Sequence, residues 1–201
     1  MNSRRMLWLA LASVAAFALG AWLWTRPVGA PPAPLAGSNI GGPFALTDQN
    51  GRAVTDATLK GKYSLIYFGY TFCPDVCPLD MQHLTAGLTA FEKSDPARAA
   101  DVQPVFVTVD PARDTVPVLR EYAANFHPRL LALTGSEAAI DAAKRAYRIY
   151  ARRAGTGTGP DYLVDHLALI YLIGPDGKAI SFLQHAAPPQ QIAAELDKYV
   201  R

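Results

Sequence analysis

The two cysteines of the chain, Cys73 and Cys77, lie close together in the segment YFGYTFCPDVCPLDM at residues 67–81. Two thiols at this spacing can form a structural disulfide, a redox couple or two ligands of one metal ion. The segment follows an apolar run and leads into a helical pattern. A helix beginning near residue 74 would place both sulfurs one turn apart on one side. The N–H groups at its N-terminus would lower the pKa of the thiols, so we expect two ionised, partly exposed sulfurs.

A third group is needed to separate a redox pair from a metal pair, and the sequence offers four histidines. His166 stands directly before the apolar run LALIYLI, and its neighbour Asp165 is placed to orient its ring. The other three histidines are predicted to have capping, surface or structural roles: His83, His127 and His185. His166 is therefore the candidate third ligand, although spacing alone leaves both the redox and the metal interpretation open.

The N-terminal region contains an uncharged stretch at residues 6–24, with tryptophans near both ends. About 19 helical residues reach roughly 30 Å, the thickness of the hydrocarbon core of a bilayer. Arg4 and Arg5 precede this stretch, so the positive-inside rule predicts a transmembrane helix with its N-terminus in the cytoplasm. A cleaved signal peptide is the alternative interpretation.

The remaining organisation follows from composition. Residues 1–5 are predicted to be cytoplasmic, residues 25–37 form a proline-rich linker, and residues 38–201 form a single domain. A domain of this size buries a core without a disulfide, which weakens the structural-disulfide interpretation. The formal net charge of +2 gives no basic excess of the kind that nucleic-acid binding requires.

Within the domain, short apolar runs alternate with helical patterns, and Asn50-Gly51 marks a hairpin. Strands are predicted at 63–69, 102–109, 130–134, 167–173 and 178–184, and helices at 115–126, 137–147 and 188–200. This order predicts a mixed α/β sheet covered by helices on both faces, as in the thioredoxin-like fold. Sites in such sheets form beyond the carboxyl ends of the strands, where the cysteine segment lies.

The segment VDPARDT allows two interpretations. Asp110 and Arg113 follow the end of a neighbouring strand, where they would border the cysteine site or a partner surface. Alternatively, Asp114 or Thr115 caps a helix and Arg113 makes an ion pair, and this structural role is the favoured prediction.

Four segments together resemble the Sco/SenC copper proteins: YFGYTFCPDVCP, VFVTVDPARDT, ALTG and DYLVDHLALIYLIGPDG. The resemblance covers the domain from residue 43 onward, and it departs from the family where Leu167 replaces a common serine. It implies a thioredoxin-like fold and copper bound by Cys73, Cys77 and His166. It also implies delivery of copper to the binuclear copper site of cytochrome c oxidase subunit II. Other expected partners are periplasmic copper carriers and thiol reductants.

The donor set agrees with that expectation, because two thiolates and an imidazole suit Cu(I), and an added hard ligand or water suits Cu(II). The alternative is a thiol–disulfide oxidoreductase that keeps the cysteines of the oxidase copper site reduced. Thioredoxin-like oxidoreductases have two residues between their cysteines, whereas this chain has three. They also have a cis-proline near the cysteine pair and before a late strand, whereas residues 161–174 of this chain contain no proline. The sequence thus predicts a copper chaperone rather than an enzyme, anchored in a bacterial inner membrane with its domain in the periplasm.

Overall fold

The computed structural model describes residues 3–24, 33–155, 159 and 161–201. The chain divides into two units, Met1–Pro31 and Pro32–Arg201. The predicted linker lies largely outside the described residues. Its described end, residues 33–37, belongs to the larger unit, where the Leu35 N–H donates a hydrogen bond of 3.0 Å to the Ile180 carbonyl.

The smaller unit contains helix α1, Ser3–Trp24, and all of its described side chains are exposed. A helix therefore occupies the place where the sequence predicted one. Within the described part of the chain, however, no helix is both long enough and apolar enough to cross a membrane. The structure does not support the predicted membrane span over residues 6–24.

The larger unit is a mixed α/β fold of nine strands and six further helices among its described residues. The strands are β1 Ala45–Asp48, β2 Ala53–Thr55, β3 Tyr63–Gly69, β4 Val102–Thr108, β5 Leu131–Thr134, β6 Ala151–Arg153, β7 Val164–His166, β8 Leu169–Ile173 and β9 Ala179–Gln184. The helices are α2 Asp56–Leu59, α3 Val76–Ser94, α4 Pro96–Ala99, α5 Val116–Ala123, α6 Glu137–Ala146 and α7 Pro189–Tyr199.

Seven strands form one sheet in the order β2-β1-β5-β4-β3-β8-β9, and β6 pairs with β7 in a separate ribbon. The central strands β3, β4 and β5 are parallel, so their carboxyl ends meet at one edge. Nearly every residue of β3 and β4 is buried, as expected for strands covered on both faces. The predicted architecture is confirmed in this unit.

Helices α3 and α7 pack closely, and one glycine makes this approach possible. A Cβ atom on Gly87 would stand only 2.6 Å from the Ile192 Cβ and 2.9 Å from the Pro189 carbonyl oxygen. The absence of a side chain at Gly87 therefore allows α7 to lie against α3, the helix that carries Cys77.

Several predicted boundaries differ from the structure near the site. Helix α3 begins at Val76, not near residue 74, and β8 begins at Leu169, not Leu167. The ribbon of β6 and β7 was not predicted, because strands of three residues are too short to show an alternating pattern. The consequence is that His166 ends a strand, where the sequence suggested a loop.

Candidate thiol–imidazole site

The two cysteines differ in position and burial. Cys73 lies in the turn between β3 and α3 and is partly exposed, whereas Cys77 lies in the first turn of α3 with 0% of its surface exposed. The Cys77 N–H donates to the Cys73 sulfur at 3.4 Å. Cys73 therefore precedes the helix, and its sulfur receives one of the N–H groups that the first turn leaves unpaired.

Strand β7 brings His166 to the buried thiol across 89 positions of sequence. Its Nε2 atom lies 3.3 Å from the Cys77 sulfur. The rings of Tyr67 and Tyr70 stand edge-on to the imidazole, with centroids at 6.3 Å and 5.9 Å. These two rings fix the plane of the imidazole, and they are a part of the site that sequence spacing did not reveal.

The predicted orienting role of Asp165 is wrong. Asp165 is exposed and faces Arg152, with 3.9 Å between the carboxylate and the guanidinium. The other ring nitrogen of His166, Nδ1, is buried and finds no hydrogen-bond partner among the described residues. Side chains on alternate positions of a strand point to opposite faces, so Asp165 and His166 diverge once they belong to β7.

Burial controls the charge of both groups. Desolvation, together with the neighbouring Cys73, raises the pKa of the Cys77 thiol well above its usual range, although the Tyr70 N–H opposes this shift. The expectation of two ionised, exposed sulfurs is therefore wrong for Cys77. Burial also lowers the pKa of His166, with backbone and acidic groups opposing, so its imidazole is neutral at neutral pH. The site pairs a protonated thiol with a neutral imidazole.

The VDPARDT segment supports the cysteine turn through Asp114. This carboxylate has 0% of its surface exposed, and it accepts hydrogen bonds from the Thr71 N–H, the Thr71 hydroxyl and the Thr108 hydroxyl. Thr115 occupies the N-cap position of α5, but its side chain makes no capping hydrogen bond. The predicted N-cap position of Thr115 is thus confirmed, although its side chain makes no cap, and Asp114 instead ties the turn before Cys73 to the end of β4.

Arg113 and Asp110 combine both predicted roles. They form the expected ion pair, and Asp110 also accepts a hydrogen bond of 2.6 Å from the Tyr162 hydroxyl. The Arg113 guanidinium lies 3.7 Å from the centroid of the Tyr162 ring and 4.8 Å from that of Phe72. The pair therefore joins the residue before Cys73 to the segment that leads into β7, at the border of the site.

The other histidines have structural partners. His83 Nδ1 lies 3.0 Å from the Ala187 carbonyl oxygen, and His127 Nε2 lies 3.1 Å from Glu92. His185 Nδ1 lies 3.1 Å from the buried carboxylate of Asp80. None of these three contacts a cysteine sulfur in the described hydrogen bonds, in agreement with their predicted structural roles.

The arrangement places two soft donors in contact and a third beside them. Within the described ranges, no group of three or more His, Cys, Asp and Glu side chains is arranged to hold a metal ion. The adjacent pair is Cys77 and His166, and the Cys73 sulfur lies against the Cys77 amide. Thiols and an imidazole at such distances are chemically suited to a soft metal ion or to thiol redox chemistry.

The parallel centre of the sheet, the thiol-bearing turn after β3 and the histidine facing it define a thioredoxin-like protein with a thiol–imidazole site. The SCO1/SenC family profile matches residues 32–201. The chain therefore belongs to the SCO1/SenC family, and the resemblance found in its motifs is confirmed.

Relatives and solved structures agree with this assignment. The chain is 41% identical to the mitochondrial protein SCO2 of Saccharomyces cerevisiae over 145 residues, which is 72% of this chain and 47% of that protein. It thus spans about half the length of this mitochondrial relative. The structure of Bradyrhizobium japonicum ScoI with copper bound is 45% identical, with a TM-score of 0.71, over 80% of this chain and 99% of that one. BsSco, described as a member of the Sco family of cytochrome c oxidase assembly proteins with a disulfide switch, is 27% identical, with a TM-score of 0.58, over 80% of this chain and 94% of that one.

Proposed function

We propose that this protein is a copper chaperone that binds one copper ion through Cys73, Cys77 and His166. The observation that carries the proposal is the contact of 3.3 Å between the Cys77 sulfur and His166 Nε2, across 89 positions of sequence. This contact brings an imidazole to a buried thiol whose amide already lies against the sulfur of a second cysteine. Such a constellation is expected where one ion must be held by all three.

The chemistry of these residues fits Cu(I). Two sulfurs and an imidazole are ligands that Cu(I) accepts, and burial lowers the pKa of His166, which favours the neutral ring with one unprotonated nitrogen able to bind a metal ion. Binding forms two copper–sulfur bonds while both thiol protons leave for solvent. Cu(II) would require an additional hard ligand or water.

The recipient in this proposal is the binuclear copper site of cytochrome c oxidase subunit II. Support comes from relatives, one solved with copper bound and one described as an oxidase assembly protein. The partly exposed Cys73 is the donor that a recipient's own ligand can displace first. Other copper carriers or thiol reductants would meet the same side of the site.

Copper competition tests the ligand set. The reduced protein, without oxygen, is titrated against a chromophoric Cu(I) chelator, and we expect one Cu(I) per chain. Cys73→Ser, Cys77→Ser and His166→Ala should each weaken binding by at least about tenfold, because each removes a direct ligand. His83→Ala is the matched control for His166→Ala. His83 lies on α3, the helix that carries Cys77, but its imidazole faces the Ala187 carbonyl and not the cysteine sulfurs. Tight Cu(I) binding by the Cys73→Ser, Cys77→Ser double variant would refute the proposal.

A thiol–disulfide reductase is the second candidate, and the unequal burial of the two thiols favours it. An exposed sulfur attacks the target disulfide and a buried one resolves the mixed disulfide. This chemistry needs no histidine 89 residues away, so His166→Ala separates the candidates. We expect it to prevent copper transfer to an oxidase copper-site domain as strongly as Cys73→Ala does. A His166→Ala variant that still supports oxidase assembly would identify the protein as a reductase.

We propose that the domain lies in the periplasm, and this proposal is based only on the sequence of the N-terminal region. Arg4 and Arg5 followed by the uncharged residues 6–24 have the order of an export segment. An export segment directs the domain to the periplasm whether or not it is later cleaved. A reporter fused after Arg201 should therefore be active only outside the cytoplasm, and cytoplasmic activity would contradict the proposed location.

A further inference from the structure

Alternate residues of the segment that ends in β7 face the body of the domain. Val164 is buried and Tyr162 and His166 are partly buried, whereas Leu163 and Asp165 are exposed. Side chains alternate between the two faces of an extended segment, so the three less exposed residues share one face. His166 reaches the cysteine site from one end of this face, and the other two residues are placed to hold the segment against the domain.

Tyr162 attaches this segment to the turn that follows β4. Its hydroxyl donates a hydrogen bond of 2.6 Å to Asp110, and its ring centroid lies 3.7 Å from the guanidinium carbon of Arg113. A hydrogen bond to a charged acceptor is stronger than one between neutral groups, and a cation over an aromatic ring adds to the attraction. Asp110 and Arg113 also form an ion pair with each other. Tyr162 therefore contacts both members of one charged pair.

A second cation contacts the same ring from the ribbon of β6 and β7. The guanidinium carbon of Arg153 lies 3.9 Å from the Tyr162 centroid, and Arg153 stands opposite Val164 in the pairing of the two strands. One face of a ring has no room for two guanidinium groups at these distances. The Tyr162 ring therefore lies between Arg113 of the domain body and Arg153 of the ribbon, on the same strand face as His166.

We propose that Tyr162 is a positioning residue that fastens the ribbon to the domain and thereby keeps His166 beside Cys77. This role rests on the proposed copper function, because its consequence is the availability of the third ligand. While the ribbon is fastened, the imidazole is in place before copper arrives. If the ribbon is loosened, His166 is in place for only a fraction of the time, and the apparent copper affinity falls in proportion to that fraction.

Two substitutions at position 162 test the proposal in the intact protein. Tyr162→Phe removes the hydrogen bond to Asp110 and keeps the ring, whereas Tyr162→Leu removes both. In the chelator competition, Cu(I) affinity should fall several-fold in the first variant and about tenfold in the second, and in neither case below that of His166→Ala. Tyr150→Leu is the matched control and should bind Cu(I) as the wild type does, because Tyr150 directly precedes β6 but is 56% exposed.

A double variant separates positioning of the imidazole from a general structural role. If Tyr162 acts through His166, then Tyr162→Leu combined with His166→Ala should bind Cu(I) as tightly as His166→Ala alone, because the group that Tyr162 positions is already absent. A further loss of affinity in the double variant would show that Tyr162 acts on the cysteines or on the whole fold, and the proposal would be wrong.

Hydrogen exchange followed by mass spectrometry tests the fastening without copper. Tyr162→Leu should speed exchange in peptides that cover residues 161–166, where the Val164 N–H donates to the Tyr70 hydroxyl of the domain body, and should leave β4 unchanged. Tyr150→Leu should change neither region. Unchanged exchange in the ribbon, or an equal increase throughout the domain, would refute the proposal. If the wild type binds no Cu(I) but ribbon exchange shifts as expected, the copper function fails and the fastening by Tyr162 stands.

Discussion

The hydrogen bond between Tyr70 and Val164 attaches the histidine-bearing strand to the cysteine turn, and its removal gives a measurable prediction. The Val164 N–H donates to the Tyr70 hydroxyl at 3.2 Å, and both residues are buried. Tyr70→Phe keeps the ring that stands edge-on to His166 at 5.9 Å, but leaves the Val164 N–H without its acceptor. A buried donor left unpaired costs about 1–3 kcal/mol.

We therefore expect Tyr70→Phe to lower the free energy of unfolding by about 1–3 kcal/mol. The melting temperature should fall by about 2–4 °C for each kcal/mol in a domain of this size. Urea unfolding followed by far-UV circular dichroism measures the change. Tryptophan fluorescence does not report on this domain, because all three tryptophans precede residue 25. Cu(I) affinity should fall less than in His166→Ala, since the imidazole and its edge contacts remain.

Tyr63→Phe is the matched control for this experiment. The Tyr63 hydroxyl also accepts a backbone N–H, that of Arg201 at 3.3 Å, but this pair is exposed and lies at the start of β3. Water replaces the lost acceptor there, so the change should stay within about 0.5 kcal/mol. If Tyr70→Phe is no less stable than Tyr63→Phe, the Val164 hydrogen bond does not stabilise the site and the reasoning fails.

Two further predictions follow from burial at the site and behind it. Iodoacetamide at neutral pH should modify Cys73 well before Cys77, because burial raises the pKa of Cys77 and keeps its thiol protonated. Cu(I) affinity should rise with pH, because copper must displace that proton from the Cys77 sulfur. Equal reaction rates, or a pH-independent affinity, would contradict this reasoning. Gly87→Ala should destabilise the domain by about 1–3 kcal/mol, because the added Cβ clashes with Ile192, despite the better helix propensity of alanine. An unchanged urea midpoint would show that α7 can shift away from α3 without loss of stability.

The parts of the fold that the sequence predicted are those with long, uninterrupted signals. The strand at 63–69 matches β3 at both ends, because its apolar run is bounded on both sides. Helix α6 begins at Glu137, where the sequence predicted its start, and the Ser136 hydroxyl accepts the Ala139 N–H at 3.2 Å. Such features depend on local chemistry alone, and local chemistry is visible in a sequence.

The parts that were missed depend on contacts between distant residues. Nothing near Tyr67 or Tyr70 in sequence indicates that their rings flank an imidazole from β7, because those contacts exist only after the ribbon folds over the sheet. The pKa of Cys77 was predicted in the wrong direction for the same reason. Helix N-terminal N–H groups can be inferred from spacing, but complete burial of the sulfur follows from the packing around it. Asp114 looked like a local cap, and only the folded chain shows that Thr71 is its partner.

The separation of 89 positions between Cys77 and His166 also determines what each chemical state of the site does to the unfolded chain. A disulfide between Cys73 and Cys77 would close a loop of only a few residues, and by chain entropy it stabilises the fold by about 2 kcal/mol. A copper ion shared by Cys77 and His166 would close a loop of nearly half the chain, for which the same estimate is about 4.5 kcal/mol as long as both ligands stay bound in the unfolded chain. The same cysteine would thus take part in a local link if oxidised and in a long-range cross-link if it bound copper together with His166. Delivery of copper would remove that cross-link. The free energy of unfolding of the protein would then be lower after each transfer than before it.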